Sequence, residues 1–350
     1  MDKEFKVEKN QYTVLDAFRF FFFLLIATFG ASILFDIIIA IIASVKGINT
    51  DVLYETDTVQ VISCVVSPIV LITYYIIYTK VRKIAFKNSF SDGQKISLLP
   101  ISVAIVLSII AIFLFTPFME LIEYGFMQLG YNPDPSIPME EKMKTSGKFF
   151  LLGLVIYALL PAIAEEIVFR GVIQKSLLSR YNGVVAISVS TLLFVLMHGA
   201  LQQTVYQLVM GIMLGYVACV GGSILYSIIL HFLNNAFVLL FGCFEIVPYL
   251  TEETYYYNFF SMVFPVCIFL LGAVLAGILF WVLKYLRTKN FFRYEPKKKK
   301  KLKKEKVEEK KLGLKEFFAN LTHTEKIFAI AGVVLIGVIW LINTYSGFVS

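Results

Sequence analysis

The chain has 350 residues, 58% of them hydrophobic and 16% charged, with a mean hydropathy of +0.76. A soluble domain of this length does not tolerate so apolar a composition, so an all-α, polytopic membrane helix bundle is expected, with membrane lipid as a partner and no nucleic acid. The formal charge of +7 is a local feature: Lys297 to Lys311 holds ten lysines against three glutamates, which leaves the remainder formally neutral.

No short basic region, apolar run and small-residue exit precedes the first hydrophobic stretch, so that stretch is expected to stay as a membrane span. The four cysteines, Cys64, Cys219, Cys243 and Cys267, are far apart in the sequence. Without a Cys-x-x-Cys they indicate neither a thiolate zinc site nor a disulfide framework.

In chain order, a polar start leads into span one, about Phe20 to Val45, which is long enough to cross the hydrocarbon. Asp36 lies within it and reads as an interfacial carboxylate that snorkels or stays protonated. Span two, about Val59 to Tyr78, carries Pro68 and exits into Lys80, Arg82, Lys83, Lys87 and Lys95. Span three, about Leu98 to Phe118, ends in a loop where Asn132-Pro133-Asp134-Pro135 rules out a regular element. Span four runs from Phe149 through Pro161 to about Ser179, longer than a bilayer needs, which implies a tilt or a kink at the proline. Spans five (Val184 to about Gln202), six (Thr204 to Val220) and seven (Ser223 to Phe241) follow with short turns. Gly211 and Gly215 form a G-x-x-x-G that reads as packing. The tyrosines 255–257 suit a headgroup belt, and span eight takes about Phe260 to Leu283.

The loops after spans two, four and eight are basic and those after five and seven are not, which puts the N-terminus in the cytoplasm of a cell-membrane protein. The Lys297 to Lys311 run then sits beside the inner leaflet and is expected to attract anionic lipid, unless it is only a solvated spacer. Leu312, Leu314, Phe317, Phe318 and Leu321 form a loosely amphipathic stretch expected to lie on the membrane before a last span, about Phe328 to Ile342. The Asn320-Leu321-Thr322 sequon falls on the cytoplasmic side and is short, so it is discounted, and His323 reads as a plain surface residue. The expected division is N-terminal helices over 1–148, a core over 149–241, the eighth span over 242–287, a polybasic linker over 288–326 and a C-terminal helix over 327–350.

Spans four, five and seven carry Glu165, Glu166, Arg170, His198, His231 and Asn235. A charged side chain at mid-bilayer costs roughly 2.5 to 3.5 kcal/mol on insertion scales, so such a group marks a buried functional site before it marks helix glue. Glu166 and Arg170 are four apart, share a face and can pair. Glu165 points about 100° away and is left for chemistry. At 1.5 Å per residue, Glu165 lies about 22 Å from the cytoplasmic turn and His198 about 21 Å, with His231 and Asn235 about 13 and 20 Å in. Four groups from three helices can therefore converge.

A carboxyl desolvated among apolar helices can take a proton from water and return it to a leaving amine. An imidazole assists, and His231 with Asn235 supplies a donor pair where negative charge develops on an attacked carbonyl. That set suits amide hydrolysis of a peptide or protein substrate by activated water. The same atoms allow another reading, in which Glu165, His198 and His231 ligate a zinc ion and leave a fourth position for water. A non-catalytic immunity or resistance scaffold, and a proton-relay transporter, also remain open.

Glu165-Glu166-x-x-x-Arg170, Phe194-x-x-x-His198 and His231-x-x-x-Asn235 resemble, in order, the three motifs of the CAAX protease and bacteriocin-processing family, also called CPBP or Abi. The resemblance covers about Phe149 to Phe241. It implies an intramembrane endopeptidase related to type II CAAX prenyl endopeptidases and to lysostaphin-resistance-like membrane proteins. Carried over by position, it makes Glu165 the catalytic base with His198 beside it, His231 and Asn235 the oxyanion donors, and Arg170 structural. Family members are described both as metalloproteases and as glutamate-dependent, so the metal stays open.

Overall fold

In the computed structural model, residues 11–91, 96–132, 140–199, 201–244, 259–288 and 311–349 are described. The expectations for Asn132-Pro133-Asp134-Pro135 beyond its first residue, for the tyrosines 255–257 and for the lysine run up to residue 310 lie outside them. The described residues form an all-α bundle with no strand; eight of its helices are long and apolar enough to cross a membrane.

Helix α1 (Val14–Lys46) starts at Thr13, whose backbone N–H and hydroxyl both donate to Asp16. Asp16 also accepts from Tyr78 and Arg82 at the end of α2 (Asp57–Arg82), at 2.7 Å each. One buried carboxylate thus caps the first helix and ties it to the second. Further along α1, exposed Asp36 accepts from the Tyr54 hydroxyl at 2.6 Å.

Helix α3 (Leu98–Gln128) contains one π turn, and α4 (Gly147–Leu178) contains two π stretches, Leu154–Leu159 and Ile167–Gln174, on either side of Pro161. The proline lacks the N–H for a regular ladder, and the wider turns absorb the mismatch. All eight residues of Ile167–Gln174 are buried. This is the helix that carries the carboxylates.

Helix α5 (Gly183–His198) departs from expectation. It opens on Asn182, whose side chain accepts from Val185 N–H at 3.1 Å, and it stops at Gly199, held at φ +67°. Sixteen residues make a rod of about 24 Å, short of the roughly 30 Å hydrocarbon core. Span five therefore ends at His198, and α6 (Leu201–Gly221) begins at once. After a left-handed Gly222 comes α7 (Ile224–Phe244), then α8 (Phe259–Thr288) packed on α3.

The C-terminal part is a second departure. The segment before α9 (His323–Val349) docks on the helix bundle. Leu312 N–H donates to Arg180 O, Asn182 N–H donates to Leu312 O, and Lys311 Nζ donates to Ser179 O, closing the segment over the α4–α5 turn. Phe317 and Leu321 are buried, and Phe317 packs against Phe18 and Tyr181. Arg180 and Glu325 pair through two bonds of 2.8 and 2.9 Å. Partial burial works against the Arg180 charge, yet Glu325 more than offsets it and holds the guanidinium above its ordinary pKa. The apolar face of this stretch is divided: Phe317 and Leu321 cover the protein, while Leu314 and Phe318 remain exposed.

Candidate active site

The π stretch of α4 aims two long polar side chains at α6. Arg170 donates to Gly211 O at 3.1 Å, and Gln174 donates to Gly215 O at 2.9 Å. The two glycines let α6 lie close to both α4 and α5. A Cβ at Gly211 would meet Thr191 Cγ2 at 2.6 Å, and one at Gly215 would meet Gln174 Oε1 at 2.9 Å. The G-x-x-x-G is therefore more than a packing groove: it presents one carbonyl to the buried Arg170 cation and one to the Gln174 amide.

Arg170 also donates to Glu166 Oε1 at 2.7 Å, with both side chains 0% exposed, and its guanidinium lies 4.5 Å above the Phe194 ring. Glu166 Oε1 has a further partner, His231 Nδ1 on α7, at 3.0 Å. Glu166 is held as an anion by Arg170, so it accepts, and His231 donates through Nδ1–H. That commitment leaves Nε2 as the free end of His231. Phe194 is the hub of the site, packing edge-on against Phe169, His198 and His231.

On the adjacent face, Glu165 Oε2 lies 3.9 Å from His198 Nε2 and 3.8 Å from His231 Nε2. These contacts are longer than hydrogen bonds, and Oε2 is buried without a direct partner. His198 Nδ1 lies 2.8 Å from Phe194 O, an acceptor, so His198 also donates through Nδ1 and turns Nε2 toward the glutamate. Side-chain exposure rises from 7% at His231 to 19% at His198 and 21% at Glu165. The site thus runs from a dry ion pair to a partly open carboxylate flanked by two imidazole lone pairs.

Asn235, half-buried on α7 one turn beyond His231, accepts from Asn234 Nδ2 at 3.4 Å. Buried Asn234 in turn accepts from the hydroxyl of Tyr206 on α6. Exposed His323 stands apart from the site, on α9.

Zinc bonds of about 2.0 to 2.2 Å place neighbouring ligand atoms about 3.3 to 3.6 Å apart in a tetrahedron. The separations from Glu165 Oε2 to both imidazoles exceed that. Among the described residues, no group of three His, Cys, Asp or Glu side chains is arranged to hold a metal ion. Glu165, His198 and His231 as placed do not fit a zinc site, and no chemical step is derived through one.

The family described as Type II CAAX prenyl endopeptidase Rce1-like matches residues 147–237. This segment is similar to an Rce1-like domain. The match agrees with the family resemblance read from the three motifs, and it takes in Glu165, Glu166, Arg170, His198, His231 and Asn235. No curated protein and no solved structure matches the chain. The helices before α4, together with α8 and α9, lie outside the Rce1-like segment.

Sequence reasoning missed three features of this domain: the Glu166–His231 bond, the hub role of Phe194 and the Tyr206–Asn234 pair. The first had a signal, because a carboxylate paired to an arginine four residues on still has lone pairs to spare. The other two depend on how α5, α6 and α7 rotate about their axes, and apolar periodicity on helices surrounded by lipid and protein does not fix that rotation.

Proposed function

We propose that the chain is a multi-pass intramembrane endopeptidase that hydrolyses a peptide bond of a membrane-associated substrate of the CAAX type, using water activated by Glu165. The observation that carries this reading is the meeting of Glu165 Oε2 with His198 Nε2 and His231 Nε2 from three helices.

When Glu165 is ionised, three acceptors face one small space, and a water molecule there can donate to the carboxylate and to an imidazole. Glu165 takes a proton as the water oxygen attacks the scissile carbonyl, and His198 holds the water in line through Nε2. The carbonyl oxygen becomes an oxyanion, which Asn235 Nδ2 stabilises by donating. With its Nδ1–H committed to Glu166, neutral His231 presents Nε2 as an acceptor and helps to hold the water; it would donate to the oxyanion only as an imidazolium. Glu165 then passes its proton to the leaving amine, and the tetrahedral species breaks into a carboxylic acid and an amine. Arg170 and Gln174 fix α4 against α6, which keeps the acid at a set height.

The loop charges support a cytoplasmic N-terminus, and the Lys297 to Lys311 run supports contact with anionic lipid at the inner surface. The test is Glu165→Gln in the full chain, with cleavage of a farnesylated Cys-aliphatic-aliphatic-X peptide followed by mass spectrometry. The variant is expected to lose cleavage by at least about a thousandfold while keeping its fold. Undiminished cleavage would falsify the assignment of Glu165. A non-catalytic scaffold would instead show no Glu165-dependent cleavage and unchanged partner binding in the variant.

A further inference from the structure

An oxyanion donor made from asparagine has a weakness that a backbone amide does not. The two ends of the side-chain amide have nearly the same shape, one donating and one accepting, and the wrong end turned inward repels a developing negative charge. Asn235 therefore needs something to decide which end faces the reacting carbonyl. Among the described residues its side chain is bonded by Asn234, whose Nδ2 donates to Asn235 Oδ1 at 3.4 Å. Asn234 is itself buried, so both ends of its amide require partners, and its Oδ1 is taken by the Tyr206 hydroxyl from the neighbouring helix. A phenol is a better donor than acceptor, so the chain has a direction: Tyr206 O–H to Asn234 Oδ1, then Asn234 N–H to Asn235 Oδ1.

We propose that Tyr206 and Asn234 are positioning residues that set the orientation of the Asn235 amide, so that its Nδ2 and not its Oδ1 faces the substrate carbonyl. The inference rests on the reading of Asn235 as the oxyanion donor. It extends the site to α6, which contributes none of the motif residues, and it gives Asn234 a role separate from that of its neighbour. Neither Tyr206 nor Asn234 touches the substrate in this scheme. A flipped Asn235 would still fill the same volume and bind substrate equally well, so the effect falls on turnover and not on binding.

The test measures kcat and KM for the full chain in bilayer discs, with a fluorogenic farnesylated Cys-aliphatic-aliphatic-X peptide. Asn235→Ala is expected to lower kcat by about 10² to 10³ with KM little changed. Asn234→Asp still accepts from Tyr206 but has no N–H for Asn235 and draws the Asn235 amide the wrong way round, so its loss should approach that of Asn235→Ala. Tyr206→Phe removes one oxygen and frees the Asn234 amide to turn; it should lower kcat by about two- to tenfold. This variant keeps the test intact if the new carboxylate of Asn234→Asp prevents folding.

The decisive measurement is the double variants. Tyr206→Phe and Asn234→Asp should have no further effect in an Asn235→Ala background, because there is no amide left to orient. Reductions that multiply in that background mean Tyr206 acts only on packing and overturn the proposal. Unchanged kcat in Asn235→Ala, alongside lost cleavage in Glu165→Gln, removes the oxyanion role and the proposal with it while leaving the hydrolytic reading standing. Full activity in Glu165→Gln removes the hydrolytic reading itself.

Discussion

Arg170→Met strands a carboxylate in the driest part of the molecule. Glu166 and Arg170 are both fully buried and bonded at 2.7 Å, and Arg170 also serves the Gly211 carbonyl and the Phe194 ring. Breaking a buried pair from one side typically costs about 3 to 5 kcal/mol, because the remaining charge has lost its counter-ion and cannot reach water. His231 still donates to Glu166, which places the expected loss toward the lower end, about 3 kcal/mol. Adding Glu166→Gln removes the stranded charge, so the double variant should recover at least about 1 kcal/mol relative to Arg170→Met alone. Denaturant titration in detergent micelles, followed by far-UV circular dichroism and by the fluorescence of Trp281 and Trp340, measures both quantities. A loss under about 1 kcal/mol for Arg170→Met, or simple additivity in the double variant, would refute the argument that this pair is dry and mutually dependent.

Three further outcomes are expected. Gly199→Ala forces a left-handed residue and brings a Cβ within 2.9 Å of Asn343 Nδ2, so it should cost about 1 to 2 kcal/mol. It should also lower cleavage by displacing the adjacent His198; combining it with Asn343→Ala should relieve the crowding and leave the backbone strain. Glu325→Gln weakens the two bonds from Arg180 and the bond from Thr322 N–H, a loss of about 1 to 3 kcal/mol that limited proteolysis of the 311–322 segment should detect as faster cutting. Cleavage should survive chelation that elemental analysis then shows to have left the protein metal-free, whereas loss on chelation with recovery on adding zinc would contradict the metal-free scheme.

The class of fold was legible because the chain is apolar over stretches that match the thickness of a bilayer. The three motifs were legible because ionisable residues inside such stretches demand a reason. The length of α5 was not, since hydropathy runs on through Gly199 into α6 and only the left-handed backbone at that glycine ends the rod. The sequence placed Glu166 and Arg170 on one face, and the structure bonds them; it said nothing of His231 as a third member, because that bond crosses from α4 to α7. Pro161 announced an irregularity, but the π stretches that flank it, and so the direction in which Arg170 and Gln174 point, follow from packing against α6. The docking of Phe317 and Leu321 was hidden for a similar reason: an amphipathic face looks the same whether lipid or protein covers it.

The strap formed by residues 311–322 sits more than a hundred positions after Glu165 in the order of synthesis. A ribosome that has already delivered every reacting group to the bilayer has yet to make the piece that locks the turn between α4 and α5. Premature termination after α8 would leave Glu165, His198, His231 and Asn235 in the chain and the turn between α4 and α5 without the bonds that fasten it.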